Sequence, residues 1–144
     1  MSTVVEAVAR KLGGTAVLGA KILSTLDLAQ AIKRRFPLAA LAGLTKAGFS
    51  DPEIDRLVIP QRTRRHRAER KQPLTVEESD RAARLARVQT VAEETFGDAA
   101  KAATWLRRPL REIGGEAPLD ASRTEAGARV VETVLAKIAW GAAA

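Results

Sequence analysis

Residues 59–71, IPQRTRRHRAERK, carry six Arg or Lys and a single acid. This segment holds +5 of the formal +7 on the 144-residue chain. Charge so localised implies a local anionic partner. As a helix, the segment fits the major groove of B-DNA, where Arg is the commonest bidentate reader of guanine and Gln pairs with adenine. Gln61, Arg62, Arg64 and Arg65 then lie near base edges, and Thr63 caps the helix or meets a phosphate. Arg67, Arg70 and Lys71 are expected on phosphates, which set affinity and register but carry little sequence information. The plainer alternative is a solvated basic face that meets acids on a partner protein. His66, the one histidine, is expected at the surface or facing phosphate rather than as a catalyst.

No other constellation offers chemistry. The chain has no cysteine and no tyrosine, which excludes disulfides, thiolate metal sites and a thiol nucleophile. Glu77, Glu78 and Asp80 fall at a helix start, where acids complement the helix dipole. Glu93 and Glu94 have no evident base or metal partner, and no ligand cluster resembles a zinc site. The glycines Gly114 and Gly115 lack the surroundings of a phosphate-binding loop. No catalytic residue, metal or cofactor is therefore expected. Hydrophobic residues make up 46% of the chain and aromatic ones only 3%, a balance that favours small-residue helix packing over sheets. The apolar stretch at residues 12–28 is interrupted by Lys21 and Asp27 and is too broken to span a membrane. Without a clear signal-peptide pattern, a cytoplasmic protein with no membrane partner is expected.

The elements that would position the basic helix are legible from capping and periodicity. Residues 1–36 read as a helical or flexible extension, with Val4, Val5, Val8 and Leu12 on one stripe and Ile22, Leu23, Leu26 and Ile32 on a second. It is a candidate for docking or dimerisation. A helix following Pro37 carries Leu38, Leu41, Ala42 and Leu44 or Thr45, and Gly48 stops it. Ser50 with Glu53 forms a capping box ahead of a short helix with Ile54, Leu57 and Val58 on its apolar face. Pro60 then precedes the basic helix, which Pro73 ends. Helix, turn, short helix, turn and basic helix follow in order. Thr75 and Glu78 give a second capping box, and a long helix runs on to Phe96. Its Arg81, Arg84 and Arg87 are expected to share a face. Asp98 caps the next helix, which Pro109 ends. Residues 110–121 read as an ordered loop with one short turn. Thr124 caps a last helix whose face is Val130, Val131, Val134, Leu135 and Ile138, with Gly141 as its terminator.

The C-terminal stretches FGDAAKAATWLRRPLREIGGEAPLD and TEAGARVVETVLAKIAWG resemble the toxin-binding domain of the Xre/MbcA/ParS antitoxins. The resemblance rests on Phe96 and Gly97, then Trp105, Leu106 and Pro109, then Gly114, Gly115, Pro118 and Leu119, and on a final helix with Gly127, Val130, Leu135, Ile138 and Gly141. PQRTRRHR and PLTVEESDRAARLARV resemble the helix-turn-helix of the same family. The likeness covers about residues 38–141. Leu110 departs from it, since relatives often have asparagine there.

The resemblance implies an all-α fold, with an Xre-like helix-turn-helix DNA-binding domain over residues 37–95 and a small helical toxin-binding domain over 96–144. It implies an antitoxin that binds a RES-domain toxin, obstructs its NAD site and represses its own operon through operator DNA. It further implies that Trp105, Gly114, Gly115, Pro118, Leu119, Lys137 and Trp140 form or support the toxin-facing surface. Arg108 and Arg111, in an unusually basic stretch, are expected to pair with acids on the toxin or, alternatively, to contact DNA. One short reading helix covers only a few base pairs, so a homodimer on a palindrome is expected. The alternative is a stand-alone helix-turn-helix repressor without a toxin.

Overall fold

The computed structural model describes residues 3–143, and among them every regular element is helical. The chain divides into two compact units, Met1–Ala86 and Arg87–Ala144.

The first unit contains α1 (Val4–Lys11), α2 (Gly14–Leu18), α3 (Thr25–Lys33), α4 (Ala39–Lys46), α5 (Asp51–Leu57), α6 (Gln61–Glu69) and the start of α7 (Val76–Phe96). The N-terminal segment is built into this unit. Val8, Leu12, Leu18, Ile22, Ala31 and Phe36 are all buried. Phe36 N–H donates to the buried Ser79 Oγ at 2.9 Å, and Leu74 N–H returns a bond to Phe36 O at 2.9 Å. Arg35 Nε donates to Leu74 O at 2.8 Å. These bonds tie residues 35–36 to the start of α7, so the segment is a folded wall of the unit.

Two residues expected on its apolar stripe lie elsewhere. Leu23 and Leu26 are 55% and 66% exposed. The reason is the start of α3: Ser24 and Asp27 form a capping box there, so Leu23 precedes the helix and Leu26 falls in its first turn, while the buried side of α3 is carried by Ala31. Backbone N–H bonds from Leu23, first, and the Ser24 contacts hold the Asp27 carboxyl below its ordinary range.

The expected capping box of Ser50 and Glu53 opens α5, with Pro52 in its first turn. Ile54, Leu57, Val58 and Ile59 are buried. Gly48, at φ 112°, lies just past α4 and permits the turn into α5. Thr75 and Glu78 exchange the second capping pair: Thr75 N–H donates to Glu78 Oε1 at 2.8 Å and Glu78 N–H to Thr75 Oγ1 at 3.1 Å.

The second unit holds the remainder of α7, then α8 (Ala99–Leu106), a 3-10 turn at Arg111–Ile113, α9 (Pro118–Ala121) and α10 (Glu125–Ala143). Its core is Val88, Ala92, Ala102, Leu106, Ile113, Leu119, Ala128, Val131 and Leu135. Asp98 caps α8 through the N–H groups of Ala100 and Lys101. Phe96 and Trp105 stack at a tilt with ring centroids 5.6 Å apart. Between Pro109 and α9 the chain closes on itself: Leu110 N–H donates to Glu116 O at 3.0 Å and Gly115 N–H to Leu110 O at 2.9 Å. Gly114 and Gly115 both have positive φ, 66° and 84°, a conformation side chains resist.

Gly127 has a different reason to be glycine. A Cβ there would sit 1.8 Å from Ala121 O, so α10 can begin beside the end of α9 only without a side chain. Gly141, expected as a helix stop, is crossed: α10 continues to Ala143. Glycine lowers helix propensity by about 1 kcal/mol, which does not break a long helix that already presents an apolar face.

Candidate functional site

In α5 and α6 the sequence places two short helices around the turn at residues 58–60. Buried Ile59 anchors the turn, and Arg81 Nε donates to Val58 O at 3.0 Å, fixing it to α7. Pro60 offers no side chain to cap α6. Instead Asp55, on α5, accepts the backbone N–H of Gln61. The expected capping role of Thr63 is therefore filled by Asp55.

No residue of α6 is buried. Thr63, Arg64 and Arg67 are half-buried, whereas Gln61, Arg62, Arg65, His66 and Glu69 are exposed. Just past the helix, Arg70 and Lys71 are exposed too. Arg64 approaches Asp51 at 4.0 Å. Arg67 departs from its expected phosphate role. Its guanidinium is engaged by Glu78: the two pair through Nη1 and Oε1, and Nη2 reaches Oε2 at 3.2 Å. Nη1 also donates to Pro73 O at 3.4 Å. At 16% side-chain exposure Arg67 anchors the C-terminal turn of α6. Arg62, Arg65, Arg70 and Lys71 remain presented to a ligand.

Glu78 thus has two tasks, as cap of α7 and as counter-ion of Arg67. Burial alone would raise its carboxyl, but the hydrogen bond from Arg67 and the N–H of Thr75 outweigh it and hold the pKa below the ordinary range. The ionised form is therefore favoured by folding, and its contribution is lost as pH falls. Wild type should exceed Glu78→Gln in melting temperature by its full margin above about pH 4.3, the ordinary glutamate value. The margin should shrink as the solution is acidified below that. Thermal melts between pH 7 and pH 3 read it directly; an unchanging margin would rule this ion pair out as the acid-sensitive anchor.

The three arginines expected to share one face of α7 are all engaged internally. Arg81 holds the Val58 carbonyl, and Arg84 Nη2 bonds Asp80 Oδ2 at 2.6 Å. In the second unit, Arg87 bridges Glu132 at 2.8 Å and Glu125 at 2.9 Å. Desolvation opposes its charge, but these two carboxylates prevail and raise its pKa above the usual guanidinium value. Arg87 thereby ties the middle of α7 to α10.

On the second unit, Trp105, Leu110, Glu112, Arg129, Val130, Thr133, Val134, Lys137 and Ile138 line an open groove of about 630 Å³. Val130 is 45% exposed, and Trp140, three residues beyond Lys137, is 79% exposed. The sequence presents the apolar residues of α10 as a single face, but they form two. Ala128, Val131 and Leu135 are buried, whereas Val130, Val134 and Ile138 open onto the groove. A stripe too wide for one-sided burial was the available signal. Of the residues expected on a toxin-facing surface, Trp105 and Lys137 line the groove, and Arg108, Arg111, Gly114, Gly115 and Trp140 are exposed. Pro118 and Leu119 are buried. They shape the start of α9 and support the surface from beneath.

Among the described residues there is no cluster of three or more His, Asp or Glu able to hold a metal. No described helix is long and apolar enough to cross a membrane.

An all-α chain with a basic helix-turn-helix, followed by a small helical unit with an exposed apolar groove, is a DNA-binding protein of the helix-turn-helix class with a second interaction domain. Residues 27–87 match the antitoxin Xre-like helix-turn-helix domain, and residues 91–141 match the antitoxin Xre/MbcA/ParS C-terminal toxin-binding domain. Antitoxin Xre of Pseudomonas putida is 38% identical over 121 residues, 84% of this chain and 76% of that protein. The chain belongs to the Xre-like antitoxin family. Antitoxin Xre of Yersinia enterocolitica is 36% identical over 84 residues, covering 58% of this chain and 57% of the relative. The Prs ADP-ribosylating antitoxin of a Sphingobium species is 30% identical over 130 residues, with 83% and 82% covered.

Proposed function

We propose that this antitoxin inhibits a RES-domain toxin that consumes NAD. The second unit covers the toxin's active site, and α6 reads operator DNA so that the operon is repressed. The observation that carries the first part is the groove on α10, apolar along Val130, Val134 and Ile138 and continued by an exposed tryptophan. Such a surface fits the apolar centre of a protein interface, where tryptophan is a preferred anchor. Arg108 and Arg111, both exposed beside it, suit acids on the toxin's rim. The name of the Sphingobium relative supports a partner with ADP-ribosyl chemistry, which draws on NAD.

The second part rests on the presented cations Arg62, Arg65, Arg70 and Lys71. One copy of α6 spans too few base pairs for specificity in a genome, so the antitoxin acts as a homodimer on two half-sites. It works in the cytoplasm, where operator and toxin meet. Its own residues hold no catalytic role; inhibition is steric.

Purification of the tagged chain from its host, with mass measurement by light scattering, tests this function. The expected result is one co-purifying protein with two antitoxin copies in the assembly. That partner is inactive in the complex and consumes NAD when freed. A preparation that binds operator DNA but carries no stoichiometric protein would replace it with a stand-alone repressor.

A further inference from the structure

The exposed side of α6 contains more than arginine. Arg62, Thr63, Arg65, His66 and Glu69 together line one shallow concavity of about 510 Å³. Residues 62, 65, 66 and 69 are spaced i, i+3, i+4 and i+7, which places them on a single helix face. Glu69 is the anomaly. It is the one acid within a segment of six cations, and it is exposed on the same face as the presented arginines. Arg65 lies four residues before it, within range for an ion pair. Yet among the described residues the Glu69 carboxylate has no hydrogen-bond or ion-pair partner. A free carboxylate on this face would be repelled by every phosphate it met.

One partner in a major groove rewards a carboxylate: the exocyclic amine of cytosine, which donates to Asp or Glu. We propose that Glu69 and His66 complete the base-reading face of α6, the Glu69 carboxylate accepting from a cytosine amine and the His66 imidazole contacting the neighbouring base edge. This rests on α6 being the DNA-reading helix. It makes the face Arg62, Arg65, His66 and Glu69, with Arg64 and Arg67 turned inward. An acid at this position then adds discrimination, because sequences without the amine meet only repulsion.

Selection from a random duplex library with the full-length wild type, Glu69→Gln and His66→Ala tests it, followed by affinities for matched and single-substituted sites at fixed salt. The expected result is that Glu69→Gln loses a cytosine preference of about tenfold at one position of each half-site. His66→Ala should relax the adjacent position, and the positions set by arginine should persist in both variants. If Glu69 is merely solvated, Glu69→Gln strengthens binding to all sequences alike and the selected motif is unchanged. That outcome overturns the proposal while leaving α6 as the reader. A wild type that selects no motif at all overturns both. Because both side chains are exposed, retained helicity by circular dichroism is expected in each variant.

Discussion

Arg62→Ala combined with Arg65→Ala is expected to abolish operator recognition and leave protection against the toxin intact. Both side chains are exposed on α6, and neither belongs to the Arg67–Glu78 anchor or to the Asp55 contact with the Gln61 N–H. The variant should therefore fold as the wild type does. Each bidentate arginine–guanine contact supplies about 1–3 kcal/mol of discrimination, so the loss of two should weaken operator binding roughly 100-fold or more. Residual binding to arbitrary DNA should persist, because Arg70 and Lys71 still neutralise phosphates, and its salt dependence should reflect them. Fluorescence anisotropy on operator and scrambled duplexes reads the first effect, and growth of cells expressing the toxin reads the second. Growth arrest with a folded, soluble double variant would show that DNA reading and neutralisation are not separable.

Trp140→Ala should do the reverse: toxin affinity falls and operator affinity stays. Central tryptophans in interfaces commonly cost 2 kcal/mol or more on truncation, about a 30-fold loss of affinity. The side chain is 79% exposed, so its removal opens no cavity in the second unit. Deleting residues 136–144 should go further. It removes Trp140 together with the groove residues Lys137 and Ile138, but keeps Leu135, the last fully buried residue identified along α10. The unit should thus remain folded and lose protection. Calorimetric titration into purified toxin, beside the growth assay, measures both variants. Full neutralisation by the truncated chain would move the blocking surface off α10.

The parts of the fold written in local chemistry were legible in the sequence. The Ser50–Glu53 and Thr75–Glu78 boxes, the Asp98 cap and the N-cap role of Thr124, which accepts the Gly127 N–H at 3.0 Å, involve residues two or three apart. The basic helix was legible because Pro60 and Pro73 bracket its dense run of charge. The orientation of that helix was not. Ala68 is its sole apolar residue, so no hydrophobic period marks the inner face. The partner that turns Arg67 inward lies eleven residues away. The N-terminal segment was harder still, since its attachment runs through bonds from Phe36 to Ser79 and from Arg35 to Leu74. Bonds between side chain and backbone at that separation leave no pattern in composition. In α10, a broad apolar stripe concealed a buried face and an open one.

Polar anchors, rather than apolar burial, hold α6: an aspartate at its first N–H, a guanidinium–carboxylate pair near its end, and an arginine on the turn before it. The helix is accordingly a detachable script on a fixed frame. On the proposed reading, substitutions at 62, 65, 66 and 69, all exposed, would change which duplex is recognised and leave the hydrophobic interior as it was. Operator choice would then be free to diverge between related chains at four exposed positions before any change in the fold.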